Sequence, residues 1–189
     1  MKILVCAFHP NIAESRVNKR WLEVVNSDPQ ITIHEVYSTY SNWSFDLKVE
    51  QQLMENHDRI VFQHPFQWYS VPPLMKKWLD DVLDYGWAYG SGGTALVGKQ
   101  WLCAISTGAS AESYQLGGSN GYCIGEFLKP LQQTAILVGM EFLPPFIFHG
   151  ALQASTKDID ASAEKFHYYI KDSTLSPQIQ RIKLLEAMS

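Results

Sequence analysis

The chain has 189 residues, 46% hydrophobic and 18% charged, which supplies enough apolar material for a sizeable core and excludes a disordered chain. Its net charge of −4 gives no electrostatic footing for nucleic acid and falls short of the acidic surface of a dedicated electron carrier. The cysteines are Cys6, Cys103 and Cys123; their odd number and wide spacing argue against a disulfide framework and against a zinc site. No apolar run approaches the ~20 residues of a membrane helix, and the N-terminus starts a strand without a signal-peptide pattern. A cytoplasmic protein is expected, peripheral to a membrane at most.

Ile3 to Phe8 is apolar on both faces, as a central parallel strand requires. After the loop His9 to Glu14, a helix is predicted from near Ser15, with Val17, Trp21, Val24 and Val25 on one face and Asp28-Pro29 as its stop. Ile31 to Val36 largely alternates, which places it at a sheet edge. Tyr37 to Leu47 reads as a long aromatic loop that packs on something, a partner subunit being one choice. A short polar helix follows around Val49 to Asn56.

The third strand, Arg59-Ile60-Val61-Phe62, runs into Gln63-His64-Pro65-Phe66-Gln67-Trp68-Tyr69-Ser70-Val71-Pro72-Pro73. We read this stretch as the loop at the carboxyl end of the strand, where open α/β sheets bind ligands. Its aromatics and amides suit a flat ring that wants stacking on a face and hydrogen bonds at its edge; an aromatic anchor at a subunit interface is the compatible alternative. Leu74-Met75, Trp78-Leu79 and Val82-Leu83 then form one apolar helical stripe behind a first-turn proline. The glycine-rich stretch Tyr85 to Gly98 follows a helix, so it lacks the context of a dinucleotide or P-loop fingerprint. Trp101 to Ile105 is the fourth strand, ending in Ser106-Thr107-Gly108-Ala109-Ser110, and a second long loop runs to Tyr122. A helix covers about Phe127 to Val138, with Pro130 in its first turn. Two prolines confine the fifth strand, Phe142 to Phe148, to an edge. Thr156 is placed as the cap of the last regular helix, and Ser176 to Ser189 as a tail with a short amphipathic helix.

The order is β-α repeated five times in one domain over residues 1–189, with a tail from about 174. Central and edge strands fit a three-layer α/β sandwich with a five-stranded parallel sheet in flavodoxin-like order 2-1-3-4-5. Its ligand crevice lies beyond strands one, three and four, whose following loops are the unusual ones. Ser15 and Asn18 offer hydroxyl and amide donors beside free helix N–H groups, a phosphate seat to which Arg16 adds charge; an ordinary N-cap with a solvated arginine is the equal alternative. Phe66 to Tyr69 forms an aromatic wall and Ser106 to Ala109 a backbone wall with N–H groups. Together they describe a flavin mononucleotide site.

These residues resemble a family. The Ser-x-x-Asn after a strand-ending His, the Gln63 to Pro73 stretch, Gly86-Trp87-Ala88-Tyr89-Gly90, Thr107-Gly108 and Leu143-Pro144-Pro145 are similar to flavodoxin-like NAD(P)H:quinone oxidoreductases. Within that family the chain looks closest to the flavoprotein ancillary subunits of glutathione-regulated potassium efflux systems. The resemblance runs from strand one to about Gly150. It implies a homodimer with a flavin site at or near each interface, contacted by His9, Ser15, Arg16, Val17, Asn18, Phe66, Gln67, Trp68, Tyr69, Ser106, Thr107, Gly108 and Ala109. It implies ping-pong transfer of two electrons from NAD(P)H through the flavin to a quinone, or a regulatory role on a potassium efflux antiporter. The short chain favours FMN over FAD.

One departure stands out. Larger relatives pair a Tyr with a His six residues later at the flavin edge; here Tyr114 fits the first position and Asn120 occupies the second. Asn does not exchange a proton near neutral pH. Either another group stabilises the reduced flavin or quinone turnover is modest, and Tyr114 is the single catalytic assignment, with a loop tyrosine packed against the dimer as its alternative. No metal is expected: His9 and His64 end strands without a third ligand, and His64 reads as a satisfied structural histidine. His34, His57, His149 and His167 carry no usable signal.

Overall fold

The computed structural model describes residues 1–187. Its sheet follows the order β2 (Ile31–Glu35), β1 (Ile3–Ala7), β3 (Arg59–Pro65), β4 (Gln100–Ser106), β5 (Glu141–Phe142), all parallel, with β6 (Phe146–Phe148) also pairing to β4. The expected order 2-1-3-4-5 holds, with one refinement. The fifth strand is two pieces, because Pro144 and Pro145 interrupt it. Both pieces lie at the edge, and β2 lies at the other.

Strand periodicity sorts the core into two layers. Leu4, Cys6, Ile60, Phe62, Trp101 and Cys103 face one side, where α4 (Pro73–Val82) and α6 (Lys129–Leu137) cover them. Ile3, Val5, Ala7, Val61, Leu102 and Ala104 face the other, beneath α1 (Arg16–Val25) and α7 (Thr156–Lys171). Burial pushes the Cys103 thiol up to about 12 and raises that of Cys6 as well. Fully buried Arg59 donates to the carbonyls of Ile170 (2.6 Å) and Asp172 (3.0 Å) and to Gln100 Oε1, seating the end of α7 on the sheet.

Several local expectations change. Gln63, His64 and Pro65 belong to β3, so the motif loop starts only at Phe66. The aromatic loop after β2 begins with a short helix, α2 (Val36–Thr39), and packs on its own chain. Tyr40 meets Phe45 edge-on at 5.1 Å, and Tyr37 and Phe45 pack on the core beside α4. The polar helix is α3 (Leu47–Glu55). The helix expected from Phe127 to Val138 is preceded by a turn of its own, α5 (Ile124–Phe127), and Pro130 lies in the first turn of α6, as expected. Ser155, not Thr156, caps α7: its hydroxyl accepts from the Asp158 amide while the Asp158 carboxylate accepts from Ser155 N–H, a reciprocal box. The tail carries α8 (Pro177–Glu186), which buries no residue. No helix among the described residues is long and apolar enough to cross a membrane.

Candidate functional site

Parallel register brings the carboxyl ends of β1, β3 and β4 level. Ala7 pairs with Gln63, and Pro65 with Ser106. Phe8 N–H donates to Gln63 O and Phe66 N–H to Ser106 O, both at 2.8 Å. The three loops therefore leave the sheet side by side.

Asn18 holds them there. It is buried, and its Nδ2 donates to Ser106 Oγ (2.9 Å) and Ser15 Oγ (3.3 Å), while Gln63 Nε2 donates to its carbonyl at 2.9 Å. Sequence spacing offered Asn18 as an anion donor; the structure makes it a staple among the site's three strands. Ser15 is the N-cap of α1, accepting from the Asn18 amide at 3.1 Å. Its own proton stays available, as do the Arg16 and Val17 amides of the first turn, which lack partners among the described residues. The Val17 side chain is core, so only its amide faces the seat. The Arg16 side chain is exposed but tethered, its guanidinium donating to Ala154 O at 2.8 Å. His9 is half-buried. Its Nδ1 accepts from the Asn11 amide at 3.2 Å, which leaves Nε2 as the protonated donor of the neutral ring, and burial lowers its pKa.

The motif loop is a two-residue turn. Gln67 and Ser70 exchange both backbone hydrogen bonds (3.2 and 2.9 Å), and the residues between them, Trp68 and Tyr69, have φ of 47° and 61°. Positive φ at both central positions is the type I′ pattern that favours Asn-Gly. Bulky residues there cost roughly 1–3 kcal/mol each, strain that buys display: Trp68 is 94% exposed. Swapping the pair, Trp68→Asn with Tyr69→Gly, is expected to raise unfolding stability by about 1–3 kcal/mol, read as a higher urea midpoint at unchanged slope.

Opposite lies Ser106–Ala109. Thr107 N–H is already spent on Phe148 O at 2.9 Å, whereas the Gly108 and Ala109 amides have no partner among the described residues. Of the backbone wall, then, two amides remain free. Phe66, Trp68, Tyr69, Gly108, Ala109, Tyr114, Asn120 and Leu152 line an open pocket of about 310 Å³, near the lower end of small-ligand sites at about 300 Å³. Tyr114 sits in an aromatic cluster with Phe66 (5.9 Å between centroids) and Phe127 (6.3 Å). Burial, then nearby Tyr69, raises its pKa. Asn120 accepts from the Tyr69 hydroxyl at 3.3 Å, so it steadies the turn.

Two residues of this neighbourhood were not legible in the sequence. Leu152 reaches over Gly108, where an added Cβ would meet its side chain at 3.2 Å. His149 lies with its ring 5.6 Å from that of Tyr114. His64 also departs from expectation. It is fully buried; Nδ1 donates to Pro65 O at 3.0 Å, and Nε2 has no partner among the described residues. Burial pushes its pKa down to about 4, so the ring is neutral. No cluster of metal-ligating side chains occurs among the described residues.

Comparison with known proteins agrees with this geometry. A family model described as flavodoxin-like fold matches residues 1–170. The uncharacterized NAD(P)H oxidoreductase YdeQ of Bacillus subtilis (strain 168) is 45% identical over 188 residues, spanning 100% of this chain and 95% of that one. The structure of general stress protein 14 from Treponema denticola in complex with FMN superposes with a TM-score of 0.86 at 40% identity, covering 90% of this chain and 98% of the other. An NADPH-quinone reductase from P. pentosaceus follows at TM-score 0.84 and 27% identity, covering 91% and 99%. The chain belongs to the flavodoxin-like family of NAD(P)H oxidoreductases.

Proposed function

We propose that this protein is an FMN-dependent NAD(P)H oxidoreductase that passes two electrons to a quinone. The observation that carries the proposal is the convergence of three sets of unpartnered backbone donors on one crevice: Arg16 and Val17, Trp68 and Tyr69, Gly108 and Ala109. Arg16, Trp68 and Tyr69 are exposed and Gly108 and Ala109 half-buried, so these amides stand open to an incoming anionic or polar ligand. The Ser15 hydroxyl, the Arg16 and Val17 amides and the remaining Arg16 N–H groups would seat the phosphate. Phe66, Gln67, Trp68 and Tyr69 would wall one side of the ring system, and Ser106, Thr107, Gly108 and Ala109 the other. His9 Nε2 would donate along the crevice. Bound there, FMN supplies hydride relay between two substrates that take turns in one pocket. The chain's part is to stack the ring, aim amides where negative charge gathers, and keep water off one face. The FMN complex of the Treponema relative and the quinone-reductase name of the P. pentosaceus structure support cofactor and acceptor respectively.

A homodimer fits the same site. Trp68, Leu116, Tyr122 and Leu152 are 94, 83, 59 and 77% exposed, an apolar collar that a second copy would cover. A regulatory role on a membrane antiporter rests on resemblance together with α8, whose Ile179, Ile182, Leu184 and Leu185 are exposed.

The test is an absorption spectrum of purified protein before and after anaerobic NADPH or NADH, then with a quinone. Bleaching that quinone reverses is the expected result. A protein that takes up no FMN would end the enzyme proposal; flavin that is bound yet not reduced would leave the regulatory role. The turn variant W68N/Y69G should retain FMN at least tenfold less tightly while being the more stable protein, because stacking area is lost as strain is relieved.

A further inference from the structure

We propose that His149, which lies against Tyr114 and Thr107 at the edge of this pocket, is its proton-holding residue, supplying the titratable group that Asn120 does not. The inference rests on the reductase reading above. His149 follows β6 directly and lies far from Tyr114 in sequence, but their rings are 5.6 Å apart and tilted by 34°.

The hydrogen bonds define its state. The Thr107 hydroxyl donates to Ala109 O at 2.8 Å, and that carbonyl can only accept. The same Oγ1 lies 3.0 Å from His149 Nδ1. With its single proton committed, Thr107 must accept, so Nδ1 carries the hydrogen and Nε2 is the bare, basic nitrogen. Thr107 thus couples the histidine to the Ser106–Ala109 loop, where the free amides gather.

Charged and titratable groups around the ring fit a residue that waits for charge. Burial lowers the pKa of His149, keeping it neutral at rest, while Glu112 on the turn Ala111–Ser113 opposes that shift. Tyr114 faces it from the same loop, and Tyr69, across the pocket, in turn affects Tyr114. Negative charge entering the pocket favours the protonated imidazole.

The balance is complete. A quinone becomes a hydroquinone by gaining one hydride and one proton. NAD(P)H gives the hydride and leaves as NAD(P)⁺. The hydride brings one negative charge into the pocket, and one proton comes from solvent onto His149 Nε2. In the second half-reaction that proton leaves Nε2 for the quinone oxygen, and His149 returns to neutral.

The experiment counts protons. FMN-loaded protein in weakly buffered solution at about pH 7.5, above the ordinary histidine range, is reduced anaerobically with NADPH while an indicator dye reports proton uptake. The wild type should take up close to one proton per flavin bleached, and H149Q, once fully bleached, close to none. Equal uptake by the two proteins would overturn the proposal. Absence of bleaching in the wild type would instead overturn the reductase reading, and bleaching without uptake would overturn the His149 proposal alone. Should H149Q not load flavin, ¹⁵N NMR of the wild-type histidines gives the answer. The half-buried His149 ring should pass from Nδ1–H neutral to doubly protonated on reduction, and a set of rings all unchanged would refute the assignment.

Discussion

Replacing Glu50 with Ala is expected to lower the free energy of unfolding by about 3–5 kcal/mol. Glu50 is 1% exposed, within α3. Its carboxylate accepts from His34 Nε2 on β2 (2.9 and 3.1 Å) and from Trp78 Nε1 on α4 (2.6 Å). Burial works against the charge, but these bonds, His34 first, hold its pKa below the ordinary carboxylate range. Burial and then Glu50 push neighbouring Tyr40 up to about 12. Truncation strands two buried donors, each costing about 1–3 kcal/mol, as well as opening a cavity. Urea denaturation of E50A measures the loss. The double variant E50A/H34L should recover part of it, since one stranded donor disappears; a loss under 1 kcal/mol in E50A, roughly that of a solvated side chain, would show that the network is not closed to water. The consequence reaches the site because Trp78 lies on α4, the helix that leaves the Phe66–Ser70 turn.

Acidification is expected to cost stability from about pH 6.5 downward, starting above the ordinary carboxylate range. His64 has a pKa near 4 in the folded protein against 6.5 for the free side chain. A histidine whose pKa is depressed by folding stabilises above the unfolded value and loses that contribution as pH falls towards the folded one. Between about pH 6.5 and 4 the unfolded chain binds the extra proton, and the accumulated loss approaches roughly 3 kcal/mol. His9 and His149, also lowered by burial, add in the same direction. Unfolding free energies of wild type and H64L across this range check the claim. H64L should flatten most of the slope, and parallel curves for the two proteins would assign it elsewhere.

Much of the architecture was legible because it follows from periodicity. β1 is apolar on both faces and lies inside the sheet; β2 alternates and lies at an edge. Proline placed the fifth strand at the other edge, although its division into two pieces required knowing which residues pair with β4. The three loops were identified because sheet polarity puts them together. What escaped was tertiary. Whether Asn18 faces an anion or Ser106 depends on the register of strands far away in sequence. Trp68-Tyr69 gave no sign of a type I′ turn, since neither residue favours positive φ; the surrounding hydrogen bonds impose it. His149 carried no local pattern at all, and only the crossing from β4 to β6 brings it to Thr107 and Tyr114. The histidines without signal all proved to be bonded: His34 to Glu50, His57 to Thr32, His149 to Thr107 and His167 to Asp28.

The broken fifth strand also governs what this protein cannot become. An unpaired parallel edge is a template on which a second chain can grow, the starting point of ordered aggregates. Here Pro144 and Pro145 remove two donors at the middle of that edge, and the Pro144 carbonyl is already taken by the Tyr169 hydroxyl at 3.0 Å. Only short runs of two and three residues flank the gap. Copies that meet at high concentration therefore find no continuous backbone to copy along this border, and association is left to side-chain surfaces such as the collar around Trp68, which recognise shape and not merely another strand.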